Sequence, residues 1–219
     1  MSDAQGPWIV IITGPPGTGK STVAKALLAR LAALGVQVPL LSKDGIKETL
    51  FATLGWRDEA WSRQLSQASM ALLYRWLTAQ VAAEQPCVVE ANFYSELATP
   101  ELQALLTRYP FRPLQILCRT DPKVLVGRLQ RRAAVRERHP GHLDAVWTQR
   151  LRPETVAWRP EPLDIGGVRI EIDTTRFEDV QYGAITERVA AAASLWHAGA
   201  VPDECEKDVG DEESNDQED

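Results

Sequence analysis

The chain is 219 residues long, 44% apolar and 25% charged, with 14 glycines and 14 prolines spread along it. These proportions describe a soluble globular protein with room for one sizeable α/β domain, and they exclude collagen-like, disulfide-scaffolded and wholly disordered chains. The net charge of −6 is unevenly distributed: Pro202–Asp219 holds ten acids and one base, so residues 1–201 carry 23 bases, 20 acids and a net +3.

The opening MSDAQGPWIVIITG has an acid where a signal peptide would be basic. No apolar run approaches the ~18–20 residues that a membrane helix needs. Three widely spaced cysteines, Cys87, Cys118 and Cys205, suit reduced thiols. The expectation is a cytoplasmic protein with no membrane partner.

In chain order, the first apolar run, Trp8–Thr13, reads as a strand buried on both faces. It runs into Gly14-Pro15-Pro16-Gly17-Thr18-Gly19-Lys20-Ser21-Thr22, a full G-x-x-x-x-G-K-S phosphate-binding pattern between a strand and a helix. Gly14, Gly17 and Gly19 let the backbone curl so that successive N–H groups point at phosphate oxygens. The helix N-terminus adds partial positive charge, Lys20 reaches the β- and γ-phosphates, and the Ser21 hydroxyl is placed for Mg²⁺. Val23, Leu27, Leu31 and Leu34 line one face of the helix that follows, and Gly35 ends it.

A second strand, Val38–Leu41, leads to Lys43-Asp44. Asp44 could accept a proton from an attacking hydroxyl, fix a water on Mg²⁺, or cap a helix beginning at Gly45. Trp61, Leu65, Ala68, Leu72 and Trp76 predict a helix stripe, with Ser62, Arg63, Gln64 and Gln67 on the other side. The third strand, Cys87–Glu90, places Glu90 and Asn92 at its end, where they could bind a metal-linked water or a substrate hydroxyl, or simply shape a turn. Phe93 and Tyr94 would then wall a pocket or pack in the core.

The fourth strand, Leu114–Cys118, is followed by Asp121-Pro122, an N-cap acid with proline at the first helical position. That helix carries Arg128, Arg131, Arg132, Arg136 and Arg138, five arginines in eleven residues against one Glu, and runs into His139-Pro140-Gly141-His142. Phosphoryl transfer needs cations over the γ-phosphate, and guanidinium forks suit that need. A mobile arginine-bearing lid over 128–142 fits, with Arg132 and Arg136 as the phosphate contacts and Arg128 behind them; a solvated basic face or a nucleic-acid patch is the alternative. The two histidines lack further ligands nearby for a metal, so they shape the loop or touch substrate. A fifth strand, Val168–Ile172, ends at Asp173-Thr174, a place for contact with the adenine edge or for a turn. Ile185, Val189, Ala192 and Trp196 mark the last helix, and the seven tryptophans mostly follow such stripes and read as core.

Strand–helix alternation implies right-handed crossovers and a parallel sheet between helices, with all five strand ends opening on one crevice. No guanine-reading Asn-Lys-x-Asp is present, since the two asparagines are Asn92 and Asn215. A ring ATPase would need an Asp-Glu strand end and a helical lid domain. A small kinase remains.

GPPGTGKS, KDGIKETLF, VVEANF, CRTDP and RRAAVRERHPGHLD together resemble a family of small bacterial AAA-like P-loop kinases. It is similar to chloramphenicol phosphotransferase, zeta toxins and polynucleotide 5′-hydroxyl kinases. The resemblance covers roughly residues 8–195. It implies a P-loop NTPase fold, three-layer α/β/α with a five-stranded parallel sheet of order 2-3-1-4-5, and ATP-Mg²⁺ as donor. It also implies an aspartate base at Asp44 and lid arginines drawn from Arg128 to Arg136.

The expected protein is one kinase domain, 1–201, with a disordered acidic tail, 202–219. It would pass the γ-phosphoryl of ATP to a hydroxyl of a small molecule such as an antibiotic, nucleoside, sugar or sugar nucleotide. Rival readings are a polynucleotide 5′-kinase, which the acidic tail disfavours, and a nucleotide-gated switch without catalysis.

Overall fold

Every residue of β1 (Trp8–Thr13) is buried because helices cover both faces of the sheet to which it is central. Val10 and Ile12 point into a cluster formed with α1 (Lys20–Ala33) and α7 (Tyr182–Ala198), through Val23, Leu27, Ile185 and Val189. Ile9 and Ile11 point the other way, against Leu73, Leu77 and Val81 of α3 (Glu59–Ala82) and Ala98 and Leu102 of α4 (Ser95–Arg108). The alternation of side chains along a strand divides one apolar run between two cores, giving three layers. The computed structural model describes residues 6–135, 138–152 and 161–198; the acidic tail, Arg136 and the side chain of Trp196 lie outside them.

β2 (Leu40–Ser42), β3 (Cys87–Glu90), β4 (Arg112–Arg119) and β5 (Val168–Asp173) complete a five-stranded parallel sheet of order β2-β3-β1-β4-β5, as expected. β2 begins two residues later than the apolar run Val38–Leu41 predicts. Pro39 has no N–H to give to a ladder, although its carbonyl accepts from Val88 N at 3.0 Å.

Two packing expectations are corrected. The buried stripe of α3 is Ser62, Leu65, Ser69, Leu73, Leu77 and Val81, not the row through Trp61 and Trp76. Ser62, assigned to the outer side, is buried. Trp56, Trp76 and Trp147 are 48%, 46% and 43% exposed, so these tryptophans are not core. Small hydroxyl residues occupy the interior face instead, because α2 (Lys43–Leu54) lies against it and presents lysines.

Register sets the site. Ile12 and Ser42 are both partners of Glu90, so the carboxyl ends of β1, β2 and β3 lie side by side at the edge of the sheet. α5 (Pro122–Ala134) leaves β4 after an Asp121 cap that accepts from Lys123 N and Val124 N at 2.8 and 3.2 Å. A single 3-10 turn, Pro140–His142, and α6 (Asp144–Arg150) then pass back over α2 and α3.

Candidate active site

The phosphate loop follows β1 without a break. Gly14 has φ 146°, and a Cβ there would lie 2.5 Å from the Cys118 carbonyl oxygen. Gly19 has φ 78° at the N-cap of α1, where a Cβ would strike the Phe177 ring. Only glycine meets both demands. Thr18 Oγ1 and Lys20 Nζ donate to the Pro15 carbonyl at 2.8 and 3.0 Å. Lys20 is 8% exposed. Burial pushes its pKa down, while the Glu90 and Asp44 charges pull it up. Ser21 and Thr22 stay exposed at the first turn of α1.

Glu90, 3% exposed, holds the middle of the crevice. Ser21 Oγ donates toward both carboxylate oxygens at 3.1 Å, and Ser42 Oγ donates to Oε2 at 3.2 Å. A buried carboxylate flanked by two hydroxyls is a set of hard oxygen donors, the chemistry that Mg²⁺ prefers. Asn92 takes no part in this cluster: its Nδ2 donates to Tyr94 Oη at 3.3 Å. Phe93 is core, packed near Tyr74 with ring centroids 6.3 Å apart.

Asp44 does not cap α2. Ser42 does, accepting from Gly45 N at 3.3 Å. Asp44 is therefore free to face the crevice from the first turn, with Arg138 Nη2 at 2.5 Å and Lys43 Nζ at 3.9 Å. Burial raises its pKa, but Arg138, Lys43 and Lys20 together outweigh it, and the carboxyl is held below the ordinary range.

The arginine cluster divides. Arg138, which the spacing argument left beside the lid contacts, is the one that reaches Asp44, with Glu48 at 3.8 Å and Asp144 at 3.9 Å. Arg132 donates through Nε to Asp144 Oδ2 at 2.8 Å. Arg128 is held away from this group: it donates to the Thr174 and Thr175 carbonyls at 2.6 and 3.2 Å and lies 4.3 Å from the Phe177 ring centroid. A position four residues back along α5 is more than one turn nearer β4, which places it at the β5 end of the crevice. Thr174 is fully buried, donating to the Thr18 carbonyl at 2.7 Å, so its side chain stitches the phosphate loop to β5 and is not open to an adenine edge. Asp173 accepts from Thr175 N at 2.7 Å, forming the turn that the sequence left as an alternative.

The histidines shape the turn between α5 and α6. His139 Nδ1 accepts from Gly141 N at 3.1 Å, and its ring stacks on Phe51 at 5.1 Å. His142, buried, meets Phe51 edge-on at 5.3 Å and Glu48 Oε1 at 3.1 Å. Among the described residues no group of His, Cys, Asp and Glu could hold a metal ion by three or more ligands.

With this loop, sheet order and crevice in view, comparison with known proteins is decisive. Residues 9–153 match an AAA domain family (AAA_33), a family of P-loop kinases. The chain belongs to this family. It is 31% identical over 127 residues to the probable adenylyl-sulfate kinase of Archaeoglobus fulgidus, covering 57% of this chain and 79% of that one. A similar relative from Pyrococcus abyssi is 31% identical over 118 residues, covering 53% and 67%. Among solved structures, a Chloroflexus aurantiacus protein assigned to the kinases without a named substrate is 36% identical, with a TM-score of 0.75 and coverage of 85% and 98%. The APS kinase of Mycobacterium tuberculosis, solved with AMPPNP and APS, shares the fold at 18% identity and a TM-score of 0.50.

The kinase also contains features that the sequence reading did not reach. Lys43 and Lys47 are buried between α2 and α3, on serine hydroxyls. Their i, i+4 spacing on α2, matched by Ser62 and Ser66 on α3, was the available signal. Cys87 and Cys118 are buried thiols whose pKa burial pushes up to about 12, which leaves them unreactive.

Proposed function

We propose that this kinase transfers the γ-phosphoryl group of ATP to a hydroxyl of a small molecule, with Asp44 as the proton acceptor. The observation that carries the reading is the position of Asp44. It is released from capping by Ser42, kept ionised by Arg138 and Lys43, and shares one crevice with Lys20. An ionised carboxylate orients the acceptor hydroxyl and takes its proton as the new O–P bond forms. The bond from the γ-phosphorus to the bridging oxygen breaks and ADP leaves.

Lys20 and the loop N–H groups would hold the phosphates. Arg138, which reaches α2, and Arg132, held on α6, would supply cations to the transferring group, while Arg128 and Phe177 would flank the nucleotide at the β5 end. Ser21 and Glu90 would hold Mg²⁺, which when bound offsets phosphate charge. Adenylyl-sulfate kinases among the relatives make a nucleotide-like acceptor the first class to try.

A polynucleotide acceptor is less favoured. Arg132 and Arg138 are engaged by Asp144 and Asp44 and do not form an open basic face. The test is ATP binding and transfer in two variants, with acceptors found by mass gain of one phosphoryl group across a pooled hydroxyl library. Lys20→Ala should lose ATP binding. Asp44→Asn should keep it and lose transfer by roughly 10²–10⁴-fold. Full transfer by Asp44→Asn would sink the base assignment.

A further inference from the structure

Helix interfaces inside α/β domains are ordinarily apolar, yet the one between α2 and α3 is cationic. Lys43 and Lys47, one turn apart on α2, are each 7% exposed. Lys43 Nζ donates to Ser66 Oγ at 2.7 Å and Lys47 Nζ to Ser62 Oγ at 3.0 Å. Two lysine–serine rungs thus cross between the helices. Among the described residues no ion pair within 4 Å joins Lys47 to a carboxylate, and its ammonium also lies 5.2 Å from the Phe51 ring centroid. A buried ammonium with no carboxylate in direct contact is costly, and a bound anion would offset that cost. Burial, followed by the Lys43 charge, lowers the Lys47 pKa to about 8, although the Asp44 and Asp144 charges pull it up.

These side chains open onto a hollow of about 220 Å³ lined by Lys47, Ser62, Ser66, Arg63, His142 and Trp147. Its remaining lining residue, Glu59, is an acid, but it is neutralised at the rim by Arg63 at 3.2 Å and Arg150 at 3.6 Å. Ser66 accepts from Lys43 and has no acceptor for its own proton among the described residues. His142 is held neutral by burial and by Arg138, and so adds a dipole rather than a charge. The hollow also connects to the base: Lys43, bonded to Ser66, is 3.9 Å from Asp44.

We infer that this hollow is an anion subsite for the acceptor, and that the hydroxyl compound this kinase phosphorylates carries a phosphate or sulfate group seated on Lys47 and Ser66, with Arg63 countering Glu59 at the rim. The word acceptor rests on the kinase reading above; the anion site itself rests only on these side chains. The cluster would hold the acceptor by its charged end, one turn along α2 from Asp44, and leave its hydroxyl to face the carboxylate.

Two measurements separate the claims. The first is calorimetric titration with inorganic sulfate at matched ionic strength, in the full chain carrying Lys20→Ala so that the phosphate loop does not compete. That protein should bind sulfate, and adding Lys47→Met should weaken binding roughly tenfold or more. Met fills similar volume without a buried charge, so the fold should tolerate it. Arg63→Gln, at an exposed rim, should weaken it by a smaller factor. Equal binding with and without Lys47, or no sulfate binding in either protein, overturns the subsite.

The second compares transfer to matched pairs, a nucleoside against its 5′-monophosphate and a sugar against its phosphate. The anionic member should be preferred through KM, and Lys47→Met should erase the preference while Lys47→Arg retains it. A neutral member used as well as its anionic partner also overturns the inference. Sulfate binding at Lys47 with no transfer to any pair would count against the kinase reading while leaving the anion site standing.

Discussion

The turn at Pro140–His142 is seated on a single buried ring, and that contact can be broken by one methyl group. A Cβ built on Gly141 lies 2.7, 2.8 and 2.9 Å from Cδ1, Cε1 and Cγ of Phe51. The ring cannot yield. It is 1% exposed, stacked on His139, met edge-on by His142 and covered by the Lys47 ammonium. Gly141→Ala is therefore an overpacking change and should cost about 1–3 kcal/mol. For a domain of this size that lowers Tm by roughly 2–12 °C. Phe51→Ala alone should cost about 3–5 kcal/mol through the cavity it leaves. The two changes are in contact and so should not add: with the ring gone the added methyl has room, and the double variant should be less destabilised than the sum by about 1–3 kcal/mol. Urea unfolding of the four proteins measures this cycle. An additive double variant, or a Gly141→Ala protein as stable as wild type, would refute the seating of the turn on Phe51.

Two further outcomes follow from the site. Glu90→Gln keeps the shape that Ser21 and Ser42 grip but removes the charge. Nucleotide binding without metal should change little, while half-saturating Mg²⁺ rises about 10–100-fold; an unchanged Mg²⁺ requirement would remove Glu90 from the metal site. His142 tests acid stability. Burial, followed by the Arg138 charge, holds its pKa well below 6.5, outweighing the Asp44 charge that pulls the other way. Above about pH 6.5 both folded and unfolded chains carry it neutral; below that the unfolded chain takes up a proton that the folded state resists, so stability falls as pH falls. Unfolding at pH 7 and pH 5 should show a smaller loss in His142→Gln than in wild type, and equal losses would contradict the burial argument.

The sheet was legible because its signals are local. The all-apolar Trp8–Ile12 run requires cover on two faces, and the glycines at 14 and 19 are demanded by close approaches that admit no side chain. The end of α1 was equally plain, with Gly35 at φ 79°. α4 gave no such signal: Pro100 sits inside it, where a proline ordinarily reads as a break. The stripe of α3 was misassigned because periodicity gives the spacing of an inner face but not which face is inner. Tryptophan outweighs serine in any apolar count, yet Ser62 and Ser69 are buried while Trp76 is exposed. What decided the face was the partner helix, whose lysines need hydroxyls.

The same limit explains the arginines. Helical spacing put Arg128, Arg132 and Arg136 on one face, with Arg132 and Arg136 ahead of Arg128, but the partners of Arg128, Arg132 and Arg138 lie on three separate parts of the fold. Arg128 bonds the loop after β5, Arg132 bonds α6, and Arg138, beyond the end of α5, reaches α2. A guanidinium goes where acids and carbonyls are, and those positions belong to the tertiary fold. Asp44 shows the converse. Its sequence context left a capping role open beside the catalytic ones because aspartate is a favoured cap, and the structure removes that alternative through Ser42, two residues earlier, whose hydroxyl takes the capping bond. Ser42 in turn is placed by its register against Glu90. The base candidate, the cap and the buried acid are thus fixed by one strand pairing, so a change that shifts β2 against β3 would disturb all three together.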